Sequence, residues 1–164
     1  MRAFFFTYLY METLFPLLVE TTGVCTDTRN ITENCMFISL IGDNFNGNQY
    51  AQTAIDKGAK YAIVDEKEKA NNQNIFYVSN GLLFLQKLAN YHRQKFDIPI
   101  IGITGSNGKT STKELIQTIL SKQFNVLYTH GNLNNHIGVP LTLLRLNNEH
   151  DIAIIEMGAN QPND

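Results

Sequence analysis

Residues 100–112 read IIGITGSNGKTST. An apolar run enters a glycine-bearing loop, and Gly108-Lys109-Thr110 closes it as a phosphate-binding loop would. The usual form of that loop has a glycine five residues before the glycine of Gly-Lys-Thr, and here that place is Ile103. The nearest glycines are Gly102 and Gly105. Taken alone, Gly-Ser-Asn-Gly is an ordinary tight turn. Its context argues for more: residues 98–104 have the composition of a buried strand, and a helix is expected at once over 109–123. A strand–loop–helix of this kind aims backbone N–H groups and the positive helix end at one anion. Thr104, Gly105, Ser106, Asn107, Gly108, Lys109, Thr110 and Ser111 are therefore the expected nucleotide-binding loop. Lys109 can reach the β- and γ-phosphates, and the Thr110 hydroxyl can ligate Mg²⁺.

Beyond the loop, strands are expected at 124–129 and 151–157, with a short helix at 139–146 between them. The run Asp151-Ile-Ala-Ile-Ile-Glu156 is an apolar strand ending in a single acid. Ligands bind at the carboxyl ends of strands in open α/β sheets, so Glu156 is a candidate Mg²⁺ ligand as well as a candidate catalytic group. The plain alternative is a strand end that sits in water. The loop over 129–140 carries Asn132, Asn134 and Asn135 between His130 and His136. The two histidines lack the spacing of a helical metal pair, which argues against zinc.

The front of the chain reads differently. Residues 35–40 (CMFISL) form an apolar run of strand length, 42–48 (GDNFNGN) are dense in turn formers, and 50–57 have helical spacing ending at Gly58. Strands follow at 61–64 and 75–78 around the polar turn EKEKANNQN, and an amphipathic helix at 82–96 carries Leu82, Leu85, Leu88, Ala89 and His92 on one face. Lys95-Phe96-Asp97-Ile98-Pro99 interrupts that pattern. The expected fold is α/β. A small N-terminal α/β domain (1–96) precedes the first part of a parallel-sheet domain with a phosphate-binding loop (98–164). With three strands, two helices and then Gln161-Pro-Asn-Asp, the second section reads as the opening of a longer domain, because a parallel sheet needs both faces covered.

Composition sets limits. At 164 residues and 43% hydrophobic, the chain can build one full core and part of another. A net charge of -2 without a long basic run argues against nucleic acid. Cys25 and Cys35, the only cysteines, have no metal-type spacing and fit a reduced, cytoplasmic protein. The start, MRAFFFTYLYMETLFPLL, superficially resembles a signal sequence, but Glu12 interrupts it and no small-residue cleavage site follows. It is too short to span a bilayer, so stable membrane insertion is not expected. An amphipathic first helix, or a true start at Met11, is the expectation.

TGSNGKTSTKE, GNLNNHIGVPLTLLRL and IIEMGANQPND, in this order and spacing, resemble the Mur ligase family. That family's phosphate loop has the form TGxxGKT, so the displaced glycine is its own variant. Thr26-Asp27-Thr28-Arg29, the strand at 35–40 and GDNFNG resemble its UDP-binding front domain, with threonine where serine is common at Thr28. His136 stands where the family sometimes has an acid.

The resemblance implies that the domain at 1–96 binds substrate and that the one at 98–164 is an ATPase domain, with ATP and Mg²⁺ as cofactors. It implies UDP-N-acetylmuramoyl-tripeptide and D-alanyl-D-alanine as substrates, and a monomeric parent. Asp27, Thr28, Arg29, Asn46 and Gly47 would line the uridine diphosphate pocket. Asn132 and Asn134 would contact substrate, and Asn135 would join Lys109 and Glu156 in catalysis. By itself this chain is expected to be an incomplete, inactive ligase. Other readings are a ligase adding a diamino acid, a binding module without turnover, and a kinase or GTPase. The last lacks a guanine-reading Asn-Lys-x-Asp and leaves the front section unexplained.

Overall fold

The computed structural model describes residues 13–158, so the expectations that fall on residues 1–12 and 159–164 lie outside it. The chain divides into two compact units, one ending at Leu88 and the other beginning at Ala89. The division falls within one helix. No helix among the described residues is long and apolar enough to cross a membrane.

The first unit opens with a helix over residues 13–19 (α1), which buries Leu14 and Leu18, one turn apart. Four parallel strands follow in the order β1-β2-β5-β6: Val24–Cys25, Met36–Ile38, Tyr61–Val64 and Ile75–Tyr77. Alternation along β2 and β5 turns Phe37, Ala62 and Val64 to one face, where Ala51 and Ala54 of α2 (Ala51–Asp56) complete the core. Cys35 is buried in that core and Cys25 packs against it, both as free thiols.

The sequence pattern leaves two features unseen. Residues 42–48, expected to be plain turn, contain a hairpin of Ile41–Gly42 (β3) and Phe45–Asn46 (β4), followed by a 3₁₀ turn at Gly47–Tyr50. The polar segment after β5 holds a 3₁₀ turn at Lys67–Lys69. Two-residue strands are too short to show an alternating pattern.

Helix α3 (Gly81–Arg93) has Leu85, Leu88 and Ala89 buried as its spacing requires, and Phe84 as well. In the second unit its last turn carries His92, whose Nε2 lies 2.9 Å from the Leu146 carbonyl and so must donate to it. The sheet there is parallel, in the order β7-β9-β8: Ile100–Ile103, Ile152–Glu156 and Val126–Tyr128. Ala153 and Ile155 of β9 face a core shared with Val139 and Leu143 of α5 (Gly138–Leu143) and with Phe96 and Ile98. Residues of opposite parity, Ile154 and Glu156, are turned to the other face of the sheet, where α4 (Lys109–Leu120) packs against β9.

Burial pushes the His92 pKa below its ordinary value of 6.5. The unfolded chain therefore takes up the proton first as pH falls. His92 favours folding fully above that value, and its contribution is lost as pH drops from there through the folded pKa. Denaturant midpoints should fall between about pH 7.5 and about pH 5.5, and His92→Gln should remove part of that slope. An unchanged slope would exclude His92 as its source.

Candidate functional site

Thr104 to Gly108 link β7 to α4. Gly105 (φ +140°) and Gly108 (φ +78°) take left-handed conformations that side-chain-bearing residues rarely adopt. Gly108 is also the residue that caps α4, so the first turn, with Lys109 and Thr110, opens directly from the loop. The leading N–H groups of that turn have no intrahelical partner and carry the positive end of the helix dipole. Lys109 reaches back over the loop, its Nζ donating to the Gly105 carbonyl at 2.5 Å. A loop of exposed N–H groups with an ammonium at its mouth suits a phosphate chain.

Glu156 ends β9 beside this loop, and only 1% of it is exposed. Its own N–H donates to Thr129 Oγ1 (3.0 Å), which fixes the end of β9 to the end of β8. Carboxylate Oε1 accepts from Thr110 Oγ1 (3.1 Å) and from Asn134 Nδ2 (2.8 Å). Oε2 accepts no hydrogen bond, and the nearest cation is Lys113 Nζ at 3.6 Å. Glu156 is thus not a strand end in water. A hydroxyl and a carboxylate in contact, with one anionic oxygen uncommitted, form a donor set suited to a hard divalent cation such as Mg²⁺.

The asparagine loop separates into distinct roles. Asn134 joins Glu156 through its side chain, and its carbonyl accepts from Gly158 N (2.7 Å). Asn135 instead turns Oδ1 to the N–H groups of Ile137 and Gly138 (3.1 and 2.8 Å), at the start of α5. Asn135 thus braces the turn that leads into α5, two residues before its N-cap Ile137, and none of its hydrogen bonds goes to Glu156. Asn132 is exposed and His136 half-buried. His130 stacks on Tyr128 (ring centroids 4.5 Å apart), and its Nε2 accepts from Arg145 NH2 at 3.0 Å.

Lys113 escaped the sequence reading. The helical period places it one turn after Lys109 and Thr110, on the face of α4 turned to the sheet. A lysine on an inward stripe is a signal that pattern alone offers.

In the first unit, Asp27 and Arg29 form a bidentate pair, Nε to Oδ1 at 3.0 Å and NH2 to Oδ2 at 2.6 Å among its contacts. The guanidinium lowers the Asp27 pKa to about 2, yet the Arg29 side chain remains 85% exposed. The Thr28 carbonyl accepts from Lys57 Nζ (2.9 Å). Asn46 Oδ1 accepts from Asn48 N and Nδ2 (both 3.0 Å), its Nδ2 donates to Glu66 (2.6 Å), and Gly47 N donates to the Leu40 carbonyl (2.8 Å). Asn46 and Gly47 therefore hold the base of the hairpin. An open cleft of about 360 Å³ is lined by residues 41–46, Gln49 and Tyr50, with Phe45 and Tyr50 stacked at 5.5 Å; residues 27–29 do not line it.

Residues 20–93 match the Mur ligase family, catalytic domain, and residues 103–164 match the Mur ligase middle domain. The chain belongs to the Mur ligase family. It is 47% identical over 148 residues to the UDP-N-acetylmuramoyl-tripeptide–D-alanyl-D-alanine ligase of Buchnera aphidicola subsp. Baizongia pistaciae, covering 89% of this chain and 32% of that one. To the Escherichia coli ligase of the same name it is 43% identical over 142 residues, covering 87% and 31%. Among solved structures, Acinetobacter baumannii MurF superposes with a TM-score of 0.79 at 34% identity, over 88% of this chain and 32% of that one. Thermotoga maritima MurF in complex with ADP superposes at 0.77 and 32% identity, over 89% and 34%. The chain spans about a third of the length of the relatives it matches. Mixed α/β architecture with parallel sheets is common to this Mur ligase chain and to those structures.

Proposed function

We propose that this Mur ligase chain supplies the UDP-substrate-binding and ATP-binding parts of a ligase that joins D-alanyl-D-alanine to UDP-N-acetylmuramoyl-tripeptide in the cytoplasm, for peptidoglycan synthesis. The observation that carries the proposal is the contact of Thr110 with buried Glu156 at the mouth of a left-handed glycine loop. Its specific form rests on the MurF relatives and on the ADP bound by one of them.

In this reaction the γ-phosphoryl group of ATP passes to the terminal carboxylate of the tripeptide, releasing ADP. The amine of D-alanyl-D-alanine then attacks the acyl carbon, and the tetrahedral adduct expels phosphate and loses a proton to leave the amide. The loop N–H groups from Gly105 to Thr110 would hold the phosphates in line, and Lys109 would leave the Gly105 carbonyl to balance charge on the transferring group. Thr110 and Glu156 would hold Mg²⁺, which when bound neutralises phosphate charge. Asn134 would orient the Glu156 carboxylate. Asn46, in the hairpin cleft, and Arg29, outside it, would each contact the uridine diphosphate, Arg29 as the group able to meet phosphate, while Asp27, Thr28 and Gly47 would support them.

Calorimetry tests this directly. The chain should bind Mg·ATP and, separately, UDP-N-acetylmuramoyl-tripeptide. Glu156→Gln should raise the Mg²⁺ concentration needed for nucleotide binding by about tenfold, because one anionic ligand becomes neutral. An unchanged Mg²⁺ titration would remove Glu156 from the metal site.

A further inference from the structure

Lys113 is fully buried, and no step of the proposed reaction uses it. Its Nζ donates to the Gly131 carbonyl (3.2 Å), pairs with Glu114 Oε1 (3.1 Å) and lies 3.6 Å from Glu156 Oε2. Both hydrogen bonds to the Glu156 carboxylate fall on Oε1, so Oε2 is left facing the ammonium alone. A buried carboxylate without a counter-charge is costly, and removing one partner of such a pair leaves the other stranded.

We propose that Lys113 is the resident counter-ion of Glu156, and that it makes divalent-cation binding at Thr110 and Glu156 conditional on nucleotide. The proposal rests on the reading of those two residues as the Mg²⁺ site. Lys113 offsets the charge of Glu156, and its other partner, Glu114, is half exposed. A dication arriving alone meets no net attraction and is repelled by a fixed ammonium in a medium where charges are poorly screened. A triphosphate brings the missing negative charge. Lys113 stays in place throughout, because the Gly131 carbonyl and Glu114 hold it independently of Glu156. It is a positioning residue, acting on the cation through Glu156.

The test uses the whole chain and Mn²⁺ without nucleotide, with free Mn²⁺ read by electron paramagnetic resonance and unfolding followed thermally. The native chain should bind Mn²⁺ weakly and gain little thermal stability from it. Lys113→Met should bind Mn²⁺ about tenfold more tightly, as loss of one repelling charge requires, and its unfolding midpoint should fall without Mn²⁺ and rise with it. Lys113→Arg should behave as the native chain. The double variant Lys113→Met/Glu156→Gln should lose the Mn²⁺ response and regain stability over Lys113→Met, an outcome readable even if the single variant folds only with metal. Equal Mn²⁺ affinity in Lys113→Met and the native chain, or a double variant no more stable than the single one, overturns the counter-ion role. If the native chain still binds Mg·ATP in that case, only this inference falls. If it binds no Mg·ATP, the nucleotide-site reading falls and takes the inference with it.

Discussion

Replacing Lys109 by alanine is expected to weaken Mg·ATP binding by at least about 100-fold while leaving the affinity for UDP-N-acetylmuramoyl-tripeptide within about twofold. A factor of 100 is ~2.7 kcal/mol, at the lower end of what truncating a charged partner of a bound anion costs. Among the described residues, Lys109 hydrogen-bonds to the Gly105 carbonyl from a half-exposed position. Its removal should therefore cost little folding stability, and the loss can be read as binding. The residues proposed for the uridine diphosphate pocket lie in the other unit, between Asp27 and Gly47. Calorimetry on the same preparation with each ligand separates the two effects. Parallel loss of both affinities would refute a division of labour between the units.

How far such a site can be read from sequence depends on what kind of constraint each residue obeys. Gly105 and Gly108 were legible because a left-handed backbone demands glycine, and that demand is local. Glu156 was legible because an acid closing an apolar strand is anomalous unless something needs it. The asparagines were harder. Asn134 and Asn135 are adjacent and chemically identical, and only the backbone turn between them sends one side chain to Glu156 and the other to the α5 N–H groups. Lys113 carries no signal by residue type, and only its spacing from Thr110 puts it on the inward stripe. Leu115 and Ile119 of the same helix, apolar by type, are 65% and 64% exposed. Ile116 and Leu120 are half-buried on the side of Lys113, so hydrophobicity alone leaves the inward face of that helix ambiguous. The β3–β4 hairpin was hidden because its strands are two residues long and because Asn46 and Asn48 are held by Glu66 and Asp65, far along the chain.

The asparagine loop offers the second large effect, through Gly138→Ala. A β-carbon at Gly138 would lie 2.4 Å from the Leu133 carbonyl carbon, 2.5 Å from its Cα and 2.6 Å from its oxygen. These are backbone atoms, so no side-chain rotation relieves the clash, and either the loop or the start of α5 must shift. Leu133 immediately precedes Asn134, whose amide holds Glu156 Oε1 and whose carbonyl receives Gly158 N. A displaced Leu133 therefore pulls on the metal-site carboxylate. The local cost should be about 2–4 kcal/mol, in the range of severe overpacking. The same shift should weaken Mg·ATP binding by roughly tenfold, since a carboxylate held by fewer hydrogen bonds is less well placed. Gly105→Ala is the informative comparison. Nothing lies within 4 Å of a β-carbon there, so its cost in stability is backbone strain alone, about 1–2 kcal/mol, and any loss of nucleotide binding in it reports the phosphate loop itself. Thermal unfolding and nucleotide calorimetry on both variants check the ranking. If Gly138→Ala proves no less stable than Gly105→Ala, and binds Mg·ATP as the native chain does, then the packing of Leu133 on Gly138 is not what holds Asn134 against Glu156.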